Sequence, residues 1–197
     1  MILAERLCLF GFDPQGGGER PQLDRDALHA AMAGLMLTDL VCGGRFAIVG
    51  DRIEQLDTLP LAHPLLTEAA TLLSRLKSTA LASALQQLRA ASPRWHGRMR
   101  KALAERGVLE LWIPFPFLRR YRLRSRQAWN ESAHLLDAAM TDAPMDRMAL
   151  AFATHRCGWL ADTVSSDVAR QLLARIDAVT RSDDVRLRQL PSLFAHA

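Results

Sequence analysis

Residues 35–53 read L-M-L-T-D-L-V-C-G-G-R-F-A-I-V-G-D-R-I. The first part continues a helical pattern. Leu28, Met32, Leu35, Met36 and Leu40 recur at the spacing of one buried helix face. Asp24 supplies an N-cap ahead of them, and Gly43-Gly44 ends the helix. In the second part, two short apolar runs flank Gly50-Asp51, which predicts a β-hairpin. A second helix followed by extended chain lies further on. Residues 94–106 read as a basic helix ended by Gly107. Residues 108–123 are extended, rich in β-branched and aromatic residues, and punctuated by Pro114 and Pro116. Proline cannot donate to a central ladder, so these strands belong at an edge or a hairpin tip.

Residues 3–10 fit a short strand or a first helical turn. Residues 13–21, with three consecutive glycines and two prolines, form a loop. Helices are expected at 65–76, at 80–91 (ended by Ser92-Pro93), and at 125–140, 145–160 and 167–179. The tail 182–197 reads as loosely ordered. Aromatic residues make up 6% of the chain, while alanine and leucine are plentiful, which favours packed helices over a β-sandwich. No repeat or low-complexity linker divides the 197 residues. The expected fold is mainly α: a single compact helical domain over 1–197 with small β-hairpins on one side.

Cys8, Cys42 and Cys157 are odd in number and far apart, which argues against a disulfide framework or a structural zinc site. They read as three small buried hydrophobes in a reducing compartment. Residues 1–12 are apolar, but Glu5 and Arg6 interrupt them, so they make a poor signal peptide. No apolar run approaches the roughly 20 residues of a membrane span. The expected location is therefore cytoplasmic, with any membrane contact peripheral. None of the six histidines has a ligand spacing, and Gly16-Gly17-Gly18 lacks the strand and helix that a phosphate loop requires. No enzyme, metal or cofactor is expected.

Charge is concentrated in one segment. Residues 115–126 read F-P-F-L-R-R-Y-R-L-R-S-R. Between positions 94 and 126 there are ten arginines and lysines against Glu105 and Glu110, an excess of eight on a chain whose net charge is +4. The rest of the chain is therefore net negative, and a cationic patch on an anionic body orients an encounter with a polyanion. Arg94, Arg98 and Lys101 follow i, i+4, i+7 and form one stripe of the helix. On a regular strand Arg120, Arg122 and Arg124 share one face, with Tyr121 and Leu123 on the other. With His96 and Arg119 these are the candidate residues for an anionic lipid headgroup. Trp112, Phe115 and Phe117 are candidates for insertion at the headgroup boundary. Two alternatives stand beside this reading. One is a winged-helix-like nucleic-acid-binding protein. The other is a lipid-independent protein-interaction module, in which Asp24, Asp26 and Asp39 meet a basic partner.

Four blocks stand in order: L-M-L-T-D-L-V-C-G-G-R-F, H-P-L-L-T-E-A, R-M-R-K-A-L-A-E-R-G-V-L and F-L-R-R-Y-R-L-R-S. This succession resembles the Golgi phosphoprotein 3 family, of which the chain is identified as a divergent member. The resemblance implies a mostly helical fold and a peripheral membrane protein. It implies as partners anionic lipids such as phosphatidylinositol 4-phosphate, and the cytosolic tails of Golgi glycosyltransferases, both bound by eukaryotic relatives. The phosphate pocket of those relatives uses three arginines and a tryptophan. The matching positions here are Ala33, Pro93 and His96 for the arginines and Asp24 for the tryptophan, so none is kept. Arg94 and Arg98 lie beside the last two arginine positions.

Overall fold

In the computed structural model all residues are described except 21–23, 60, 116–117, 142–143, 180, 182–183 and 195–197. The chain opens with helix α1 (Leu3–Phe10) and α2 (Arg25–Cys42). A hairpin of β1 (Phe46–Val49) and β2 (Arg52–Gln55) follows. Next come α3 (Pro64–Ser74), α4 (Leu81–Glu105) and a second hairpin of β3 (Leu109–Phe115) and β4 (Leu118–Leu123). The second half is helical: α5 (Arg126–Ala138), α6 (Met145–Arg156), α7 (Leu160–Thr163), α8 (Ser166–Val179), α9 (Val185–Arg188) and α10 (Leu190–Phe194). The fold is mainly α with two small antiparallel strand pairs.

Helix α2 lies at the centre, packed against α4 on one flank and α6 on another. The chain writes this directly. Asp24 caps α2 by accepting the Asp26 N–H at 2.8 Å. Nearly every residue of α2 from Leu28 to Leu40 is buried. In α6 every residue from 148 to 154 is buried, as expected of a helix that is apolar all round and surrounded by others. Residues 3–10 resolve as a two-turn helix. Three glycine-led turns expected from the sequence are present, at Gly43-Gly44, Gly50 and Gly107.

Helix α1 is seated by carboxylates. The Glu5 carboxyl is 1% exposed. Its Oε1 accepts from Arg106 at 2.6 Å and lies 3.2 Å from His63 Nε2, while Oε2 accepts the Ile2 N–H at 3.3 Å. Burial alone would push this carboxyl up. The His63 hydrogen bond and the charge of Arg106 outweigh it and hold the group below its ordinary range. Asp39 of α2 accepts the Leu3 N–H at 2.9 Å. Here burial outweighs the Leu3 hydrogen bond and the charge of His63 and pushes the carboxyl up to about 7. Of the three aspartates suggested for a basic partner, Asp39 thus caps α1, Asp24 caps α2, and Asp26 pairs with Arg89 at 3.6 Å.

Three expectations are corrected. First, Ser92-Pro93 does not end a helix; α4 runs through it for 25 residues. An interior proline costs roughly 3 kcal/mol. Leu85 and Leu88 before it, and Trp95, Met99 and Leu103 after it, are all buried. At about 1.5–3 kcal/mol for each buried side chain, a continuous helix wins. The Ser92 hydroxyl donates back to the Leu88 carbonyl at 2.8 Å within that turn. Second, the tail is not loose at α10. Leu190, Leu193 and Phe194 are buried, and Phe194 stacks on Phe152 with centroids 5.9 Å apart. Third, Cys42 is exposed at the end of α2, while Cys8 and Cys157 are buried, with thiols that burial pushes up to about 12.

Two predictions follow from these contacts. A Cβ at Gly34 would lie 2.6 Å from Phe194 Cε1 and 3.0 Å from the Leu193 carbonyl oxygen. Overpacking costs about 1–3 kcal/mol, against a gain of up to about 1 in helix propensity. Gly34→Ala is expected to lower Tm by a few degrees in calorimetry; an unchanged or higher Tm would unseat α10 from this position. Asp39 has a folded pKa of about 7 against an ordinary 3.8. A raised carboxyl pKa contributes stability that is complete below 3.8 and lost as pH rises to about 7. Asp39→Asn keeps an acceptor for the Leu3 N–H without the charge. Its stability relative to the parent is expected to rise between pH 5 and pH 8 in urea melts.

Candidate functional site

The second hairpin grows out of the end of α4. Gly107, at φ +72°, makes the turn that residues with a Cβ rarely adopt. The Val108 carbonyl then accepts N–H groups from Arg124 and Ser125, closing the base of the hairpin. Leu109 pairs with Leu123, Glu110 with Arg122, Leu111 with Tyr121 and Trp112 with Arg120. The register is irregular between Trp112 and Phe115, where Pro114 stands. Strand alternation therefore puts Glu110, Trp112, Arg120 and Arg122 on one face, and Leu109, Leu111, Tyr121 and Leu123 on the other.

At its base the second face joins the core: Leu109 is buried, and Tyr121 and Leu123 are half-buried. Further out the hairpin overhangs the body. Leu111 is 43% exposed and Ile113 52%, with Trp112 at 37% on the opposite face. The free edge of β4 is held by the loop after α1. Leu123 N–H donates to the Gly17 carbonyl at 2.8 Å, and Tyr121 N–H to Glu19 Oε1 at 3.3 Å. Arg100 of α4 braces the same junction. It pairs with Glu19, and its guanidinium lies 4.7 Å from the Tyr121 ring centroid and 5.6 Å from that of Phe12.

Arg120, Arg122 and Arg124 are exposed, as the strand pattern requires. Arg122 stacks on the Trp112 ring at 3.7 Å, which ties the cationic and aromatic parts of that face together. Phe117 lies outside the described residues, as do the side chains of Phe115 and Arg119.

The helical candidates divide. Arg94 and Arg98 both pair with Glu68 of α3, and Lys101 pairs with Glu105 at 3.7 Å. His96 is two residues from each of Arg94 and Arg98, about 200° round the helix. It is half-buried, and burial, reinforced by Arg100 and His29, pushes it down to about 4. It is therefore neutral at pH 7. The ten cations between 94 and 126 do not form one patch. Arg94 and Arg98 face α3. Arg100 and Arg106 turn inward to Glu19 and Glu5. Arg120, Arg122 and Arg124 stand on the hairpin.

Sequence reasoning missed Leu111 and Ile113, which alternation assigns to the core-facing side. It also missed Glu68, because nothing local to residues 63–69 announces a partner on α4. No helix among the described residues is long and apolar enough to cross a membrane. At the positions matching a family phosphate pocket, Ala33 is buried, Asp24 is a helix cap, Pro93 lies inside α4 and His96 is uncharged at neutral pH.

Comparison with known proteins is consistent with the four sequence blocks. The family described as Golgi phosphoprotein 3 (GPP34) matches residues 3–190. No curated protein matches the chain.

Proposed function

The chain belongs to the Golgi phosphoprotein 3 family, and from that premise we propose that it attaches peripherally to anionic membrane surfaces through its second hairpin. The observation that carries this reading is the overhang. Leu111, Trp112 and Ile113 are exposed together on a hairpin whose adjoining strand holds Arg120, Arg122 and Arg124 toward solvent. Exposed apolar groups rimmed by cations suit the boundary between headgroups and acyl chains. The arginines supply attraction and the apolar residues supply depth.

The magnitudes describe reversible attachment. Each arginine near an anionic surface contributes about 1 kcal/mol, screened over a Debye length of about 8–10 Å. Three give about 3 kcal/mol, which alone corresponds to binding weaker than millimolar. Insertion of Trp112 and its neighbours must add the remainder. The attachment is accordingly salt-sensitive and needs both halves of the hairpin.

The headgroup read by this surface is generic negative charge. The four positions that match the phosphatidylinositol 4-phosphate pocket of eukaryotic relatives carry no cation at neutral pH, so a preference for that lipid has no support at those residues. The protein is read as non-enzymatic.

Co-sedimentation with vesicles tests this. Binding is expected to phosphatidylcholine vesicles containing phosphatidylserine, to be no stronger when phosphatidylinositol 4-phosphate supplies the same charge, and to be lost at high salt. Arg120→Glu/Arg122→Glu is expected to abolish it; unchanged binding of that variant would overturn the proposal. Of four tryptophans only Trp112 is exposed, so a blue shift of emission on binding reports the hairpin. Trp112→Phe is expected to remove the shift. A shift that persists would place the contact elsewhere.

A further inference from the structure

Near its start, α4 leaves room against α2. On α2, Asp26, Ala30 and Ala33 stand at i, i+4 and i+7, on one face. On α4, Ala82, Leu85, Gln86 and Arg89 share a face in the same way. The alanine side chains are too small to fill the space between the two helices. A cleft of about 330 Å³ lies there, and Leu193 of α10 adds a further wall.

The cleft has an apolar floor and a polar rim. Ala30, Ala33, Leu85 and Leu193 are buried, whereas Gln86 is exposed and Arg89 half-buried. Its two ends also differ. Arg89 lies 3.6 Å from Asp26, which puts the guanidinium at the Asp26 end of the α2 face. Burial, opposed by Asp26 and reinforced by Arg25 and Arg89, holds His29 of α2 below its ordinary range, in keeping with that position. At the other end, the Leu193 carbonyl oxygen lies 3.0 Å from where a Cβ on Gly34 would stand, so Leu193 sits beside Ala33. Asp26 to Ala33 covers about 10 Å of helix axis. The cleft thus runs from one cation to an apolar end. Among the described residues, Arg89 is the only charged one on its walls.

We propose that this cleft binds a small monocarboxylate with an apolar body, of the kind a medium-chain fatty acid presents. The carboxylate pairs with Arg89 in place of Asp26, Gln86 donates beside it, and the chain lies over Ala30, Ala33, Leu85 and Leu193. Small-molecule sites are commonly clefts of about 300–1,000 Å³, mostly apolar, with a few polar groups that fix orientation. The Asp26 pair is loose, with side chains 35% exposed for Arg89 and 76% for Asp26, and pairs this exposed hold weakly. A carboxylate that also buries a chain replaces it. One guanidinium matches one negative charge. Phosphate is not favoured here. Of the four positions that match the family phosphate pocket, Asp24, Pro93 and His96 are not among the walls, and Ala33 contributes only a methyl group. The cleft shares no residue with the second hairpin, so it stands or falls separately from membrane attachment.

The test is calorimetric titration with fatty acids of rising chain length, each below its micelle concentration. Each buried methylene is worth about fourfold in affinity. Binding is therefore expected to tighten from butyrate to octanoate and to level off once the cleft is full. Octanol, which lacks the charge, is expected to bind roughly tenfold more weakly than octanoate. Arg89→Gln is expected to weaken octanoate by about the same factor and to leave octanol unchanged. Asp26→Asn, which removes the competing charge, is expected to tighten octanoate by up to about fivefold. Ala82→Leu adds bulk at an exposed position on the rim and is expected to abolish binding of both. All three substituted positions are exposed or half-buried, so thermal melts should stay close to the parent's. Inorganic phosphate is expected not to bind. The proposal is overturned if octanoate does not bind the parent, if octanol binds as tightly as octanoate, or if Ala82→Leu binds octanoate as the parent does. Affinity that keeps rising to dodecanoate without a plateau also overturns it, by assigning the binding to open apolar surface.

Discussion

A single buried carboxylate holds together the parts on which the hairpin depends. Glu5 is withdrawn from water, and taking one ion into a protein interior costs several kcal/mol even after relaxation. The arrangement is tolerable because Arg106 and His63 reach the same oxygen and the Ile2 N–H takes the other. His63 stands at the entry to α3 and Arg106 just past the end of α4. The charge therefore pins α1, the start of α3 and the end of α4 at one place. Arg106 is also the residue before Gly107, where the chain leaves the helix for β3. The direction in which the second hairpin projects is set from inside the core.

Helical geometry then decides what the cationic segment becomes. A run of ten positive residues looks like one patch when written on a line. On α4, neighbours two apart point about 200° away from each other. Arg94 and Arg98 thus meet α3, while Arg100 meets Glu19 and the Tyr121 ring. Acids from distant parts of the chain neutralise each of these. The arginines of β4 escape because the hairpin carries them past the body, where no helix supplies a carboxylate among the described residues.

Features governed by neighbours in sequence were readable without coordinates. The Asp24 cap, the buried face of α2, the turn at Gly50-Asp51 and the alternation of Arg120, Tyr121 and Arg122 all follow from local rules, and all are present. What could not be read depends on residues far away. Pro93 looks like a helix end because its missing N–H is local, whereas the apolar face that carries α4 across it is completed by other helices. The last residues look loose because they are short and interrupted by Pro191, yet Gly34, some 160 residues earlier in the chain, leaves the space in which Phe194 rests. Leu111 and Ile113 follow the core-facing parity but lie beyond the edge of the core. Glu68 could not be assigned to Arg94 and Arg98 from its own surroundings.

The Glu5 contact also has a consequence for how the protein is made. Arg106 is 101 residues away in the chain, and Ser132, which accepts a hydrogen bond from Arg6, is 126 residues from it. At about 5–20 residues per second, a ribosome completes α1 roughly 5–20 s before the cation that neutralises it. During that interval α1 can meet α2, whose Asp39 caps it, but its buried Glu5 lacks the guanidinium that neutralises it. The contacts that neutralise and brace α1 are thus among the later ones to become available.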